Sequence, residues 1–461
     1  MGINFSPFEI GQRALRASQL GLTVAGQNIA NVNTPGYTRQ EVVLSASPSD
    51  GSGLKLTGTG VTIEDVRSLR DQFIQTRLQT ETGISGRLTA QRDALTPVDA
   101  VFTQSAGDIN TALTNFFGAF RDLEATPTSL ALRSAAVESG NQLGAAFGST
   151  RAQLVNARSD ADNQLRGTVD EANTLAAHIA DLNNSIRKLE GGGAKASELR
   201  DQRDEAINSL AELTGARSVE NKDGSLTITL ADGKPLVVND KVFNLQATTT
   251  APDGLAAITL DGQPAAISNG KLRGLLDAIG QIGSQIGGLD DLASSIAGRV
   301  NTLHASGADL DGTAGTAFFA QPASGPITAA NLTVSAAIKA NPRLVVAGAA
   351  GAGSGDGSVA NKIAGLLKDP SSVAGARTGS FSSIFAAQVS DAGESVSKAG
   401  DALTTQQVIL NQTIEQRNSA SGVSIDEETV NLLRYQRAFE AAARFLKVAD
   451  EITQTVIALG Q

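Results

Sequence analysis

Apolar residues recur at a seven-residue spacing along the start of the chain. Phe8, Leu15, Leu22 and Ile29 mark one position of the repeat, and Gly11, Ser18 and Ala25 follow the first three at a spacing of three. This pattern predicts an amphipathic helix with an a/d seam, large residues at one position and small ones at the other, open to close approach by a partner helix. Pro7 suits a first helical turn, where its missing N–H leaves nothing unsatisfied. The helix should stop at Thr34, because a residue before proline is pushed out of helical φ/ψ. Pro35 and Gly36 then supply the central residues of a type II turn.

The far end carries a second stripe. Leu432, Tyr435, Phe439, Ala442, Phe445, Ala449, Ile452, Val456 and Leu459 step by three and four, with Leu446 on the same helix. Asp426, Glu427 and Glu428 fall in its first turn, where the helix dipole favours negative charge. At 1.5 Å per residue a helix from Asp426 to Leu459 would span roughly 50 Å. Either stripe alone fits an ordinary core helix. Two complementary seams at opposite termini favour pairing, of the ends with each other or with copies of themselves. The expected assembly interface is therefore Phe8, Leu15, Leu22, Ile29, Leu432, Tyr435, Phe439, Leu446, Ile452, Val456 and Leu459.

Between the ends the pattern changes character twice. Ser45 to Gly60 is rich in Ser, Gly and Thr and suggests a linker with short extended pieces. Helical periodicity then runs to about Thr214. Leu175, Ile179, Leu182, Ile186 and Leu189 form one stripe, Gly191-Gly192-Gly193 breaks it, and a helix over Ser197–Leu213 completes an αα-hairpin. Leu226, Ile228 and Leu230 then alternate with threonines. Asp-Gly pairs at 223, 232, 253 and 261 punctuate short runs such as Pro235–Val238 and Ala257–Leu260, so residues 216–270 should form a small antiparallel β domain. Helix returns over Lys271–His304. Strand-like pieces at Leu332–Val334 and Leu344–Val346 follow, and the low-complexity stretch Ala347–Ser358 is expected to be mobile. A last internal helix carries Phe385, Val389, Ala392, Val396, Ala399, Leu403, Leu410 and Ile414.

The expected fold is mainly α, with an inserted small antiparallel β domain and terminal helices forming an antiparallel coiled-coil-like pair. Residues 1–44 and 422–461 would make the terminal domain. Residues 45–215, 271–310 and 355–421 would make a helical domain. Residues 216–270 are the β domain, and the Gly/Ala-rich segment 311–354 would pack on either neighbour.

Composition narrows the chemistry. At 461 residues the chain has room for about three domains. It contains no Cys, which excludes a disulfide framework, a thiolate zinc site and a cysteine nucleophile. A net charge of -10 argues against nucleic acid, which needs clustered Lys and Arg to neutralise phosphates. No eighteen-residue apolar run predicts a membrane helix, and no basic segment followed by an apolar core predicts a cleaved signal. His304 has no second His or Cys partner for a metal, and His178 flanks a helical stripe as a half-exposed residue. Asp309-x-Asp311-Gly312 begins like a calcium loop, but its glycine comes early and Ala320 stands where a glutamate is needed, so a turn is the better reading. Gly58-Thr59-Gly60 lacks a third glycine, and Gly191–Lys195 is not a phosphate loop. Asp201, Arg203 and Asp204 suggest a surface ion network or a subunit contact. No catalytic, cofactor or metal site is expected.

Two motifs carry a resemblance. Asn31-x-Asn33-Thr34-Pro35-Gly36-Tyr37 resembles the N-terminal signature of bacterial flagellar axial proteins (rod, hook and hook-associated), and Gly58-Thr59-Gly60-Val61 through Arg67 and Phe73 continue it. Ser421-Gly422-Val423 with Asp426-Glu427-Glu428 is similar to the hook-associated branch that joins hook to filament; rod and hook proteins usually have Asn where Gly422 stands. Asp201-Gln202-Arg203-Asp204, Gly274–Asp277 and His304 to Phe318-Phe319 match that branch as well. The stretch between the helical parts is short for the family, which implies that a third, outer domain is absent.

The resemblance implies a structural, non-enzymatic subunit at the hook–filament junction, outside the cell, that leaves unfolded through a type III apparatus without losing a signal peptide. Its terminal helices would line the inner tube around the channel. Implied partners are copies of itself in a ring, hook protein, a second junction protein toward the filament and an export chaperone on the C-terminal helix, with no nucleic acid and no membrane. Another axial component (hook or distal rod protein) and a secreted coiled-coil adhesin are the alternatives. Because marginal helices need tertiary packing, the termini of a single chain are expected to be disordered until incorporation.

Overall fold

Helix α1 (Ser6–Ala30) leads through a hairpin of β1 (Gln40–Ala46) and β2 (Val61–Ser68) into α2 (Gln72–Ala125), α3 (Leu130–Gly191) and α4 (Ser197–Thr214). Short strands follow: β3 (Arg217–Glu220), β4 (Leu226–Thr229), β5 (Pro235–Val238), β6 (Lys241–Val242), β7 (Leu245–Thr249), β8 (Ala256–Leu260) and β9 (Gln263–Pro264). Then come α5 (Gly270–Ala305), β10 (Gly307–Ala308), α6 (Ala336–Ala340), β11 (Gly348–Ala349) and α7 (Ser358–Gly365). A small hairpin of β12 (Val373–Ala374) and β13 (Arg377–Thr378) leads to α8 (Phe381–Ser421) and α9 (Ile425–Leu459). This computed structural model describes residues 6–47, 59–192, 195–221, 225–250 and 254–459.

The ends pair as an antiparallel couple. Gly11 lies against Leu446 and Gly21 against Tyr435, so closely that a Cβ at either glycine would stand 2.6 or 2.5 Å from the opposing side chain. The small positions of α1 therefore make the contact, with Ser18, Ala25 and Asn28 buried beside the glycines, and Ala442 and Ala449 buried on α9. Both helices are formed and paired in the single chain, where the sequence suggested ends that order only on incorporation.

The body is built on long helices. Side-chain caps start three of them, with Asp71 accepting from Phe73 N and Ile74 N, Ser129 from Leu132 N and Ser380 from Ser383 N. Phe116, Phe117, Phe120, Phe318 and Phe319 pack edge-to-face or tilted around one another, and Phe381 stacks on Phe117. One continuous hydrophobic cluster runs from Ala94 to Ala392, and no described side chain of α1 or α9 belongs to it.

The alternating segment folds as two antiparallel meanders, β3-β4-β5-β6 and β7-β8-β9. Left-handed Gly233 and Gly262 turn the chain at two of the expected Asp-Gly pairs. Residues 223 and 253, at the other two pairs, lie outside the described residues. Helix α3 covers the strands with a ladder of polar side chains. Asn173 exchanges hydrogen bonds with both backbone groups of Leu245, Asp162 accepts from Ala256 N, and Asn183 donates to Leu226 O and Asn239 O. On outer strand β3, Gln79 of α2 accepts from Ser218 N. Leu226, Ile228, Leu236, Val237 and Ile258 sit in the same cluster as the helices.

Three local expectations resolve differently. Leu332–Val334 contributes only a bridge from Val334 to Phe319, and Leu344 ends a short 3-10 turn rather than starting a strand. Ala347–Ser358 is held by Asp356, whose carboxylate accepts from Ala349 N, Ser358 N and Ser358 Oγ. His304 is fully buried as a structural link: Nδ1 faces Thr316 O and Nε2 accepts from Val346 N at 2.9 Å. Burial lowers its pKa to about 4, so it is neutral. Asp309 closes the expected turn, accepting from Asp311 N and Thr313 N.

Candidate functional site

The turn after α1 is where both ends of the chain meet the body. Tyr37 N donates to Thr34 O at 3.2 Å, and Gly36 has φ +79°, as the third residue of a type II turn requires. Asn31 steadies the approach, donating to Gln27 O and accepting from Thr34 Oγ1. Beyond the turn, three residues lead into β1 and reach different partners. Tyr37 Oη donates to Asn28 Oδ1 at 2.9 Å, Thr38 N donates to Asp201 Oδ2 at 3.0 Å, and Arg39 reaches α9.

Asn28 is the centre of this clasp. It has no exposed surface, and its amide is fully used: Oδ1 accepts from Tyr37 Oη and Gln40 N, while Nδ2 donates to Gln40 O and to Glu428 Oε2 at 3.0 Å. The side chain of Glu428 is 3% exposed, and a carboxylate this deep needs charge-assisted partners. Arg39 Nε supplies one at 2.8 Å, and Arg39 Nη1 reaches the more exposed Glu427 at 2.7 Å. Helix α8 adds two ties, from Arg417 Nη2 to Gly36 O at 2.7 Å and from Arg39 N to Ser421 O at 2.9 Å. Burial, with Asp201, Glu198 and Glu428 nearby, pushes the Tyr37 hydroxyl up to about 12, so it remains a donor.

A second anchor fixes the clasp to α4. Asp201 accepts from Thr38 N and from Arg70 Nη2 at 2.9 Å, and Arg70 also pairs with Asp204 at 3.1 Å. Arg203 turns the other way and donates to Asn183 Oδ1 on α3 at 2.9 Å. Burial raises the Asp204 carboxyl and lowers Arg203 to about 10. The group expected on the surface is thus an interior bracket between the end pair and the strands held by α3.

The expected interface residues divide into three sets. Tyr435 and Leu446 meet the glycines of α1; Phe8, Leu15, Leu22, Ile29, Leu432 and Phe439 are half-buried along the pair. Ile452 points outward at 59% exposure, and the side chains of Val456 and Leu459 lie outside the described set. In the motifs, Asn33, Thr34, Pro35 and Asp426 are exposed, and Val423 is half-buried. Gly422 is required by space, since a Cβ there would stand 2.3 Å from Asn418 O. On helix α9, Val430, Leu433, Phe445, Val448 and Ile452 are exposed and fall within about 120° of one another, an apolar face without cover in the single chain; Ile425 and Ile457 are exposed on the other side of the helix. Among the described residues no helix is long and apolar enough to cross a membrane, and no cluster of three or more ligating side chains is placed to hold a metal.

The family model described as "Flagellar hook-associated protein FlgK helical domain" matches residues 95–319. Models described as "Flagella basal body rod protein" and "Flagellar basal body rod FlgEFG protein C-terminal" match 8–38 and 415–459. Over nearly its whole length the chain is similar to proteins named flagellar hook-associated protein 1. It is 27% identical to the "Flagellar hook-associated protein 1" of Bacillus subtilis (strain 168), over 99% of this chain and 98% of that protein. To the protein of that name in Escherichia coli (strain K12) it is 25% identical, over 96% and 97%. Those alignments run over 507 and 535 positions against 461 residues here, so both relatives carry stretches without a counterpart. The solved structure of "the flagellar hook junction protein FlgK from Burkholderia pseudomallei" shares the fold, with a TM-score of 0.66 at 16% identity, over 75% of this chain and all of that one.

Proposed function

We propose that this chain is a structural subunit that joins hook to filament, assembling through its paired terminal helices. The observation that carries this reading is the buried clasp of Asn28, Arg39 and Glu428, which locks the ends together while α9 keeps an apolar face open. Residues 1–44 and 422–461 form the inner tube, with Phe8, Leu15, Leu22, Ile29, Leu432, Phe439, Ile452, Val456 and Leu459 contacting neighbouring copies in a ring. Burying each large side chain contributes roughly 1.5 to 3 kcal/mol. The helical residues 45–215, 271–310 and 355–421 form the layer outside the tube, with 216–270 and 311–354 outermost. Hook protein lies on one side and a second junction protein on the other. The subunit travels unfolded through the type III apparatus, its C-terminal helix shielded by an export chaperone.

Immunogold labelling of intact flagella tests the location. Gold confined to a narrow band where hook meets filament supports the reading, and gold along the hook or in the basal body rejects it.

A further inference from the structure

We propose that α1, β1, β2 and α9 form one rigid module that swings against the body on two short crossings, with the turn at residues 31–37 travelling between two clefts. The inference goes beyond the junction reading and concerns a single copy of the chain.

The chain passes between module and body at residues 69–71 and 422–424. Helix α1 packs on α9 and on the β1-β2 ribbon, and no extensive packing joins any of the four to a helix or strand of the body. Inside the module the clasp of Asn28, Arg39, Gln40 and Glu428 ties α1, β1 and α9 together, so the module moves as a unit. It is tied to the body by polar contacts. Thr38 N donates to Asp201 Oδ2, Arg417 Nη2 to Gly36 O, and Arg39 N to Ser421 O at the end of α8. Lys195 pairs with Asp65 at 3.2 Å, where both side chains are partly exposed. None of these ties is backed by the hydrophobic cluster, which contains no described residue of the module. A polar join of this kind leaves relative motion as the default, because water replaces each tie at little net cost.

Room for the swing lies on both sides of the turn. One cleft of about 600 Å³ is lined by the turn, Leu78 of α2 and Ile414 of α8, and another of about 620 Å³ by the turn with Leu175 and His178 of α3. Asn31, Thr34, Pro35 and Tyr37 line both, and Glu205 and Ser209 of α4 belong to both walls. The turn therefore stands between two openings rather than in a packed socket. Residues 69–71 and 422–424 absorb the change in direction, as hinges do at the ends of elements. A chain built this way holds its ends at one tilt and its body at another.

The chain has no cysteine, so paired spin labels report cleanly. Double electron–electron resonance on the purified full chain measures three pairs, each introduced at exposed positions. Gln19→Cys with Glu171→Cys spans the neck, and Gln27→Cys with Lys447→Cys lies within the module. Glu138→Cys with Glu171→Cys lies within α3, roughly 50 Å apart at 1.5 Å per residue. The distance distribution across the neck should be at least twice as wide as the other two. Glu205 is exposed and lines both clefts, so Glu205→Trp fills them without disturbing the core and should bring the neck distribution down to the width of the controls. A native neck distribution as narrow as the controls overturns the swing. A wide distribution within the module means that the ends have separated, and overturns the rigid unit. A neck width unmoved by Glu205→Trp overturns the travel between clefts. None of these results bears on where gold labels the flagellum, so the junction reading is tested separately.

Discussion

Asn28 shows how one side chain couples the two ends of a long polymer. Its four hydrogen bonds join α1, the extended segment after the turn and α9, and one crosses 400 positions of sequence. Replacing it by Ala leaves Tyr37 Oη, Gln40 N and half of Glu428 without their partner, at about 1–3 kcal/mol for each buried group left unsatisfied. We expect Asn28→Ala to speed hydrogen exchange of α1 amides at least tenfold while core amides of α3 and α5 are unchanged; equal acceleration in both would deny the clasp its local role. His304 gives a second residue-level expectation. Its folded pKa of about 4 lies below the unfolded value near 6.5, so its contribution is complete above pH 6.5 and is lost as pH falls toward 4. Between pH 6.5 and 5 this amounts to at most about 2 kcal/mol. The melting temperature should drop across that window, and His304→Gln, which cannot titrate, should flatten the drop. Neither Asn28 as the hub nor Glu428 as its partner was legible in the sequence, where Glu428 reads only as a first-turn acid, because no local spacing links the two.

At the level of elements, the glycines of α1 decide how close the pair comes. Gly21→Ala puts a methyl 2.5 Å from the Tyr435 ring, and overpacking of this kind costs about 1–3 kcal/mol. Gly26 has nothing within 4 Å of its would-be Cβ, so Gly26→Ala should stabilise α1 by about 0.5–1 kcal/mol. Opposite shifts in the opening of the pair, read by exchange or by protease at α1, would bear out this close packing; equal effects would contradict it. The periodicity of α4, α5 and α9 placed their ends to within a residue or so. Period two found the strands of 216–270 through Leu226, Ile228 and the Asp-Gly turns. It could not show that Asn173, Asp162 and Asn183 of α3 hold them, since those residues have no distinctive spacing. Asp201, Arg203 and Asp204 looked superficial because they stand in a run of four polar residues, yet only Gln202 among the four is exposed: Arg70 pairs with Asp201 and Asp204, and Arg203 with Asn183.

For the whole molecule, the separation of the hydrophobic core from the end pair matters most. The core from Ala94 to Ala392 is complete without α1 or α9, so the ends can open and close without unfolding the body. That independence fits the proposed reading, in which the subunit would be exported and would dock by its ends. The most direct measurement is electron microscopy of cells in which the gene is deleted and restored. Deletion should leave intact hooks without filaments and shed flagellin into the medium. The native gene should return the filaments, and Leu446→Asp, which puts a charge against Gly11, should not. Filaments on the hooks of the deletion strain, or hooks missing altogether, would contradict a junction role.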